Sequence, residues 1–557
     1  MKLELTFLLD LVVLVAFAQN NKATFSYFEY KGNDACLEQK IDPEIQYRNP
    51  ILSGFYPDPS ICRRGDDYFL VNSSFSYYPG VPIFHSKDLV HWKQIGHVLD
   101  RPSQLKLDGL GLSAGVYAPA IEYNESNQAF YLINTIIGGI GNFVVKTKDP
   151  FTGWGDPIRV PELNGIDPSF FFDEGGKAYI VHCGVPEGPP KWQGHRAIWL
   201  HEYNTETDKI VGKGMVIADG GADTTRHPVW LEGPHLYKIN GFYYLMAAEG
   251  GTGDNHSEVI FRSEKVSGPY TAWNKNPILT QRDLPGLRAN KVTSTGHADL
   301  VQSSDGEWFA VFLGCRPYGD EYYNTGRETF LLPVKWENGF PVILDQGNAV
   351  LPVVSKKHLL PGGDLLTGNF VWRDDFDKPV LDMKWNMLRT PREQWWNLKE
   401  GVIELEAIPR SLSQLANPAF IGRRQQHLNF EVESGVQFSP KSRNELAGVA
   451  YFQNEKNHLV VGKTIRNGKN ALILMGTTAG VVKELIISEI PSSAVNKELI
   501  LYVVVKEGEA GFYFAEKGKK RIALAEKVDV TSLSTKKGGG FVGAYIGLYS
   551  TSLFDNQ

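Results

Sequence analysis

The chain is poor in cysteine and methionine, balanced in charge, and nearly free of long apolar runs. Its 557 residues hold four cysteines, Cys36, Cys62, Cys183 and Cys315. None stands in a CxxC or Cys/His spacing, which excludes a zinc ribbon, an iron–sulfur motif and a disulfide-dense scaffold. Spacing leaves two readings open, buried unpaired thiols or a disulfide of undetermined pairing. Lys+Arg 57 against Asp+Glu 63 leaves a net charge of −6 and no long basic stretch, so no nucleic-acid partner is expected. The apolar run from Leu5 to Ala18 is too short to span a bilayer, and no later stretch is long enough for a transmembrane segment. It follows Lys2 and ends in Ala16-Phe17-Ala18, which fits a signal peptide over residues 1–18 and a periplasmic or secreted protein, although Glu4 and Asp10 interrupt the pattern. No cysteine marks a lipoprotein site there. The polar Gln19-Asn20-Asn21 argues against a buried N-terminal strand or helix.

What the chain has is glycine and aromatics: 56 Gly, 30 Phe and 24 Tyr. Glycine at about a tenth, against a usual ~7%, points to many short strands and tight turns rather than a helical bundle. Self-comparison then finds five related segments. They open at Asp58-Pro59-Ser60-Ile61, Ala118-Pro119-Ala120-Ile121, Asp167-Pro168-Ser169-Phe170, Glu232-Gly233-Pro234-His235 and His297-Ala298-Asp299-Leu300. Each runs through a turn, such as Gly175-Gly176, Asn240-Gly241 or Asp305-Gly306, into an aromatic strand such as Phe242-Tyr243-Tyr244-Leu245. Asn-Gly and Asp-Gly between apolar strands are hairpin signals, because both central residues need positive φ. The openings at residues 58, 118, 167, 232 and 297 lie 60, 49, 65 and 65 residues apart, room for a four-stranded blade each. The expected fold is all-β, a five-bladed β-propeller over residues 45–350. A β-sandwich array does not explain why polar residues recur at one point of each repeat.

In a propeller the innermost strands line the axis, so equivalent positions converge. Asp58, Asp167, Glu232 and His297 are expected at one axial pocket, with Ala118 in the fifth place. A residue before proline is held extended, which sets the expected direction of Asp58 and Asp167. Alone, each aspartate reads as a turn cap and Glu232 as a loop residue. Together, three carboxylates repel one another and lose water, which drives their pKa values apart. Separated acid and base carboxylates are what glycoside hydrolysis needs. His297 is open between a core histidine, a substrate contact and a ligand to a central cation, with a structural or polarising role favoured over proton transfer.

These residues resemble glycoside hydrolase family 43. Asn49-Pro50-Ile51-Leu52-Ser53-Gly54-Phe55-Tyr56-Pro57-Asp58-Pro59-Ser60-Ile61-Cys62 is similar to its opening motif. Phe75 to Leu89 is similar to its β-xylosidase and α-L-arabinofuranosidase branch. Ile166-Asp167-Pro168-Ser169, Leu231-Glu232-Gly233-Pro234, Gly296-His297-Ala298-Asp299 and Gly326-Arg327-Glu328-Thr329 also match. The resemblance implies an inverting, exo-acting enzyme that needs no cofactor for its chemistry. In it Asp58 is the general base, Glu232 the general acid, and Asp167 raises and orients the acid. It makes Arg327 a substrate contact; the alternative is a surface ion pair with Glu328. No metal ligand is assigned, and a structural calcium near His297 is left open. Where the family's xylosidases usually carry Trp, this chain has Tyr77, and Tyr117 in place of the Trp of Trp-Ala-Pro. Those changes tilt the expectation towards an arabinofuranosidase, with a β-xylosidase as the close alternative. Phe75, Tyr77 and Tyr117 are candidates to stack on sugar faces, or else core aromatics. His256, in Gly250-Gly251-Thr252-Gly253-Asp254-Asn255-His256, is a candidate substrate contact or a plain loop histidine.

The repeat ends after Phe340-Pro341. Residues 351–370, with Pro352 and Pro361-Gly362-Gly363, read as a linker. Alternating segments such as Leu499 to Val505 and Gly540 to Tyr549 predict an antiparallel β-sandwich over 371–557. It resembles the concanavalin-like domain found with β-xylosidases of this family, expected to wall the pocket or to bind carbohydrate. The expected partner is a plant cell-wall oligosaccharide or polysaccharide, cut at its terminal arabinofuranosyl units. A non-catalytic glycan-binding propeller is the rival from another class.

Overall fold

A computed structural model describes residues 21–491 and 494–554. The expected signal peptide, residues 1–18, lies outside the described residues. Five antiparallel four-stranded sheets follow one another from Ser60–Arg64 to Phe340–Val342, the fourth carrying the extra strand Leu279–Thr280. The innermost strands, Ser60–Arg64, Gly115–Asn124, Gly165–Phe172, Glu232–Ile239 and Thr293–Gln302, pack against one another in a closed ring. The ring is locked where the segment before blade 1 pairs with blade 5: Leu52 and Thr329 exchange two backbone hydrogen bonds of 3.2 Å. Asp299, fully buried below the ring's mouth, accepts from the Ser60 hydroxyl at 2.8 Å, the Ile61 N–H at 2.9 Å and the Tyr237 hydroxyl at 2.8 Å. One carboxylate thus ties blades 1, 4 and 5.

Two details of the inner strands differ from expectation. The residues before proline are not extended: Asp58, Ala118 and Asp167 have φ of 51°, 31° and 53°. Register shifts interrupt four of the inner strands, between Tyr117 and Ala120, Ile166 and Ser169, Glu232 and His235, and Gly296 and Asp299. An irregularity of this kind re-aims a side chain out of the ladder. The fourth and fifth members of this left-handed set are Gly233 (φ 57°) and His297 (φ 52°), so Glu232 stands one residue before the equivalent place. Gly233 cannot carry a side chain, because a Cβ there would lie 2.9–3.0 Å from the His297 ring.

The sandwich is built from two eight-stranded sheets. It is not confined to the expected residues 371–557: the strand Lys22–Gly32 lies inside one of its sheets, with Ala23↔Leu405, Tyr30↔Val432 and Phe28↔Asp374 as partners. The other sheet ends on propeller residues, Leu388↔Tyr77 and Met387↔Tyr78. The residues of the expected linker run along the propeller, where Val353–Ser355 pairs with Gln46–Arg48. Buried apolar side chains of blades 1 and 2 (Phe69, Val71, Phe130) and of the sandwich (Phe28, Trp385, Ile421) form one continuous cluster. All four cysteines are free thiols.

Phe28 is fully buried, with its ring 5.1 Å from Trp385 and 6.3 Å from Trp372. Phe28→Ala is expected to cost about 3–5 kcal/mol of stability in urea unfolding. A loss below about 1 kcal/mol contradicts the placement of this strand in the core.

Candidate active site

The left-handed residues of the inner strands deliver their side chains to one end of the ring. Asp58, Ala118, Asp167, His297 and the adjacent Glu232 line a cavity of about 490 Å³ together with Arg327 and Phe75. All seven are buried, Glu232 the least so at 9% exposed. The two aspartates and the glutamate are treated differently by their neighbours. Asp58 accepts from the Ser73 hydroxyl at 2.6 Å through one oxygen and from the Arg327 guanidinium through the other. Ser73 in turn accepts from the Ala118 N–H at 2.7 Å, which couples the Asp58 carboxylate to the irregularity of blade 2. The alternative pairing of Arg327 with Glu328 does not form. Glu328 is bound instead by Arg316 at 2.7 Å.

Among the described residues Asp167 has no ion-pair partner, and its one hydrogen bond is a long 3.3 Å contact accepted from the Gly233 N–H. Burial, and then the charge of Asp58, push its pKa up to about 7, against the opposing pull of Gly233 and Arg327. Glu232 is driven well above the ordinary range, first by burial and then by the charges of Asp167 and Asp58. No side chain or backbone group bonds its carboxyl among the described residues. The site therefore holds one carboxylate clamped by a cation and one carboxyl kept protonated by its surroundings. The first arrangement suits a base and the second an acid.

Burial lowers the pKa of His297 to about 4, so its imidazole is neutral at neutral pH. It packs over Gly233, and Glu258 accepts from the neighbouring Ala298 N–H at 3.0 Å. Calcium takes six to eight oxygen ligands. The described residues hold no group of three or more His, Cys, Asp or Glu side chains placed to bind a metal. Carboxylate, thiolate and imidazole side chains thus offer fewer than three donors around His297 among these residues.

Two expected substrate contacts lie elsewhere. Tyr77 is fully buried at the domain interface, stacked on Tyr545 with ring centroids 3.9 Å apart. Its strand has become the edge of a sandwich sheet, so its ring serves the junction rather than the pocket. His256 is 1% exposed, its Nδ1 2.9 Å from the Ser294 carbonyl oxygen and its ring packed behind Gly296. It backs the inner strand of blade 5 and does not line the cavity. Phe75 and Tyr117 do line it, with ring centroids 4.9 Å apart. The Tyr117 hydroxyl is spent on the Ser113 carbonyl at 2.6 Å.

Four further residues contribute to the site without a motif that singles them out. Ser73 follows the second strand of blade 1 and carries no motif of its own. Trp230 and Val229 sit just before the Leu231-Glu232 motif, where an aromatic two residues from an acid was the available signal. Phe541 reaches the pocket from the sandwich, its N–H donating to Ser113 Oγ at 2.9 Å and its carbonyl accepting from Arg327 at 3.4 Å. Gly540 precedes it, where a Cβ would lie 2.2 Å from Ser113 Oγ. Only the fold joins these segments.

A propeller whose axial pocket sets a clamped carboxylate against a protonated carboxyl is the architecture of a glycoside hydrolase. Residues 47–341 match the family described as Glycosyl hydrolases family 43, and residues 373–557 match the Beta xylosidase C-terminal Concanavalin A-like domain. The chain belongs to glycoside hydrolase family 43 and is a glycosidase of that family. It is 38% identical over 515 residues to a xylosidase/arabinosidase of Butyrivibrio fibrisolvens, covering 90% of this chain and 95% of that one. It is 38% identical over 517 residues to a non-reducing end alpha-L-arabinofuranosidase of Bacteroides ovatus, covering 91% of each. A crystal structure of a GH43_12 protein retrieved from capybara gut metagenome superposes with a TM-score of 0.89 at 40% identity, covering 96% of this chain and all of that one.

The pKa of Asp167 carries a sign for stability. A carboxyl raised from 3.8 to about 7 by folding stabilises the fold fully below pH 3.8, and that contribution is lost as pH rises through about 7. Asp167→Asn is expected to gain stability relative to wild type as pH rises from 4 to 7.5, read from paired urea titrations. A difference that does not vary with pH contradicts the raised pKa.

Proposed function

We propose that the protein is an inverting, exo-acting hydrolase that releases terminal non-reducing α-L-arabinofuranosyl units from hemicellulose side chains or their oligosaccharides. The observation that carries the reading is the opposed state of Asp58 and Glu232 in one cavity. Asp58, oriented by Arg327 and Ser73, takes a proton from water as that water attacks the anomeric carbon. Glu232 gives its proton to the departing glycosidic oxygen. Asp167 touches neither reacting atom in this scheme and acts as a positioning residue, its charge helping to keep Glu232 protonated. Inversion needs the two carboxyls ~6.5–9.5 Å apart, with room for the water between them. Arg327 and the Phe75 ring, with the cation 5.5 Å from the ring centroid, bound the terminal sugar.

Arabinofuranoside specificity is supported by the name of the Bacteroides ovatus relative, a non-reducing end alpha-L-arabinofuranosidase, and by Tyr117 at the rim in place of Trp. Tyr77, packed at the domain junction, does not bear on specificity. A β-xylosidase is the second reading, favoured by the dual name of the Butyrivibrio fibrisolvens relative. We also propose that residues 1–18 direct export to the periplasm or beyond, supported by the Lys2, apolar-run and Ala16-Phe17-Ala18 pattern. Cleavage after Ala18 leaves Gln19 as the first residue, which N-terminal sequencing checks.

Activity on 4-nitrophenyl α-L-arabinofuranoside is expected to exceed that on the β-D-xyloside. The reverse order selects the xylosidase reading, and binding of glycans with hydrolysis of neither sinks the enzyme reading. Glu232→Gln should lower kcat/KM on an unactivated oligosaccharide by about 10²–10⁴-fold, the worth of general acid catalysis. Near wild-type turnover there would show that Glu232 is not the acid.

A further inference from the structure

The wall of the cavity beyond Glu232 differs in character from its floor. The floor residues are all buried, whereas Val229 is 41% exposed and marks the mouth on the Glu232 side. Between them stands Trp230, half-buried, in a conformation that bulky residues avoid, with φ of 55°. His227, three residues earlier, is also left-handed, with φ of 51°. Strain of this kind persists where surrounding structure imposes it. Here the segment is pinned from both sides: the Trp230 N–H donates to the Gly194 carbonyl at 2.9 Å, and the Gly250 N–H donates to the Val229 carbonyl at 2.8 Å. Gly194 keeps the approach possible, since a Cβ there would lie 2.9 Å from Val229 Cγ1.

The Arg196 guanidinium lies over the Trp230 ring, 4.3 Å from its centroid. It is half-buried and forms no ion pair among the described residues; its one hydrogen bond is from Nη1 to the adjacent His195 carbonyl at 2.9 Å. Its charge is close enough to act on Glu232. An arginine offers five donors in a planar fork and no acceptor. Four of those donors remain to be satisfied beside the carboxyl assigned to the leaving oxygen, next to an indole. A flat C–H ring face suits the indole, and neighbouring hydroxyls suit the fork.

We propose that Arg196 and Trp230 form a leaving-group subsite that holds a neutral pyranose ring of the glycan from which the terminal sugar is cut. This rests on the glycosidase reading and adds where the remainder of the substrate lies. The pinned, strained Trp230 fixes the ring plane, and Arg196 donates to ring hydroxyls while its stem and plane stay packed on the indole. The subsite acts on the polymer side of the scissile bond, so it separates natural substrates from small aryl glycosides.

The test compares kcat/KM for an arabinofuranosyl-xylotriose with kcat/KM for 4-nitrophenyl α-L-arabinofuranoside in wild type, Arg196→Met and Trp230→Leu. Arg196→Lys serves as a second variant if the first is unstable by its melting temperature. The ratio of the two constants is expected to fall by about tenfold or more in the variants, the scale of a lost polar contact. Xylotriose should bind Glu232→Gln more tightly than Glu232→Gln carrying Arg196→Met, measured by calorimetry. A ratio within about twofold of wild type in the variants overturns the subsite. Binding of a glucuronic-acid-bearing xylotriose to Glu232→Gln that is tighter than that of xylotriose, and weakens as salt is raised to 0.5 M, reassigns Arg196 to an acidic sugar and overturns the neutral ring. Failure of wild type on both substrates removes the arabinofuranosidase reading, and the same ratio is then read with xylotetraose against 4-nitrophenyl β-D-xyloside.

Discussion

Three carboxyl groups crowded into one buried pocket, with a single arginine among them, set the terms for the rest of the molecule. Burying charges is costly unless they are paired. Arg327 pairs with Asp58 alone, so burial and mutual repulsion raise the pKa values of Asp167 and Glu232. The chemistry follows from that unequal allocation, since a base and an acid then coexist at one pH.

The fold is what makes the crowding possible. Each inner strand turns left-handed at the same level, and the closed ring brings those turns together. The ring cannot open easily, because Asp299 binds groups from blades 1 and 4 beneath the floor while Leu52 and Thr329 pair across the seam. The sandwich adds what the propeller lacks. It takes its own first strand from residues ahead of the propeller and returns Phe541 to the pocket mouth. The catalytic cavity is therefore a product of both domains, tied by Tyr77 on Tyr545 and by the Arg424 bond of 2.7 Å to the Phe55 carbonyl.

Much of this was legible along the chain. Five repeats were visible because each inner strand faces the same demands, so the same residue types recur. Asp58, Asp167, Glu232 and His297 meet at the axis for that reason, while Arg327 reaches them from outside the inner strands. The exact register was not legible: Glu232 stands one place early because Gly233 takes the left-handed turn, and sequence spacing alone does not reveal an irregularity. Tyr77 and His256 were misplaced because the sequence of a loop does not say which side of a strand its rings pack on. Phe541 escaped because its partners Ser113 and Arg327 lie more than 200 residues away, and Ser73 because no motif marks its bond to Asp58, 15 residues back. The strand Lys22–Gly32 alternates buried and less buried residues over much of its length, a pattern present in the sequence but detached from the domain it completes.

The central claim is that Glu232 keeps its proton where an ordinary glutamate has lost it. Infrared difference spectra of wild type against Glu232→Gln at pH 6 read this directly. The claim predicts a protonated carboxyl C=O band in wild type that disappears in the variant. A difference spectrum showing only carboxylate bands at that pH would contradict it.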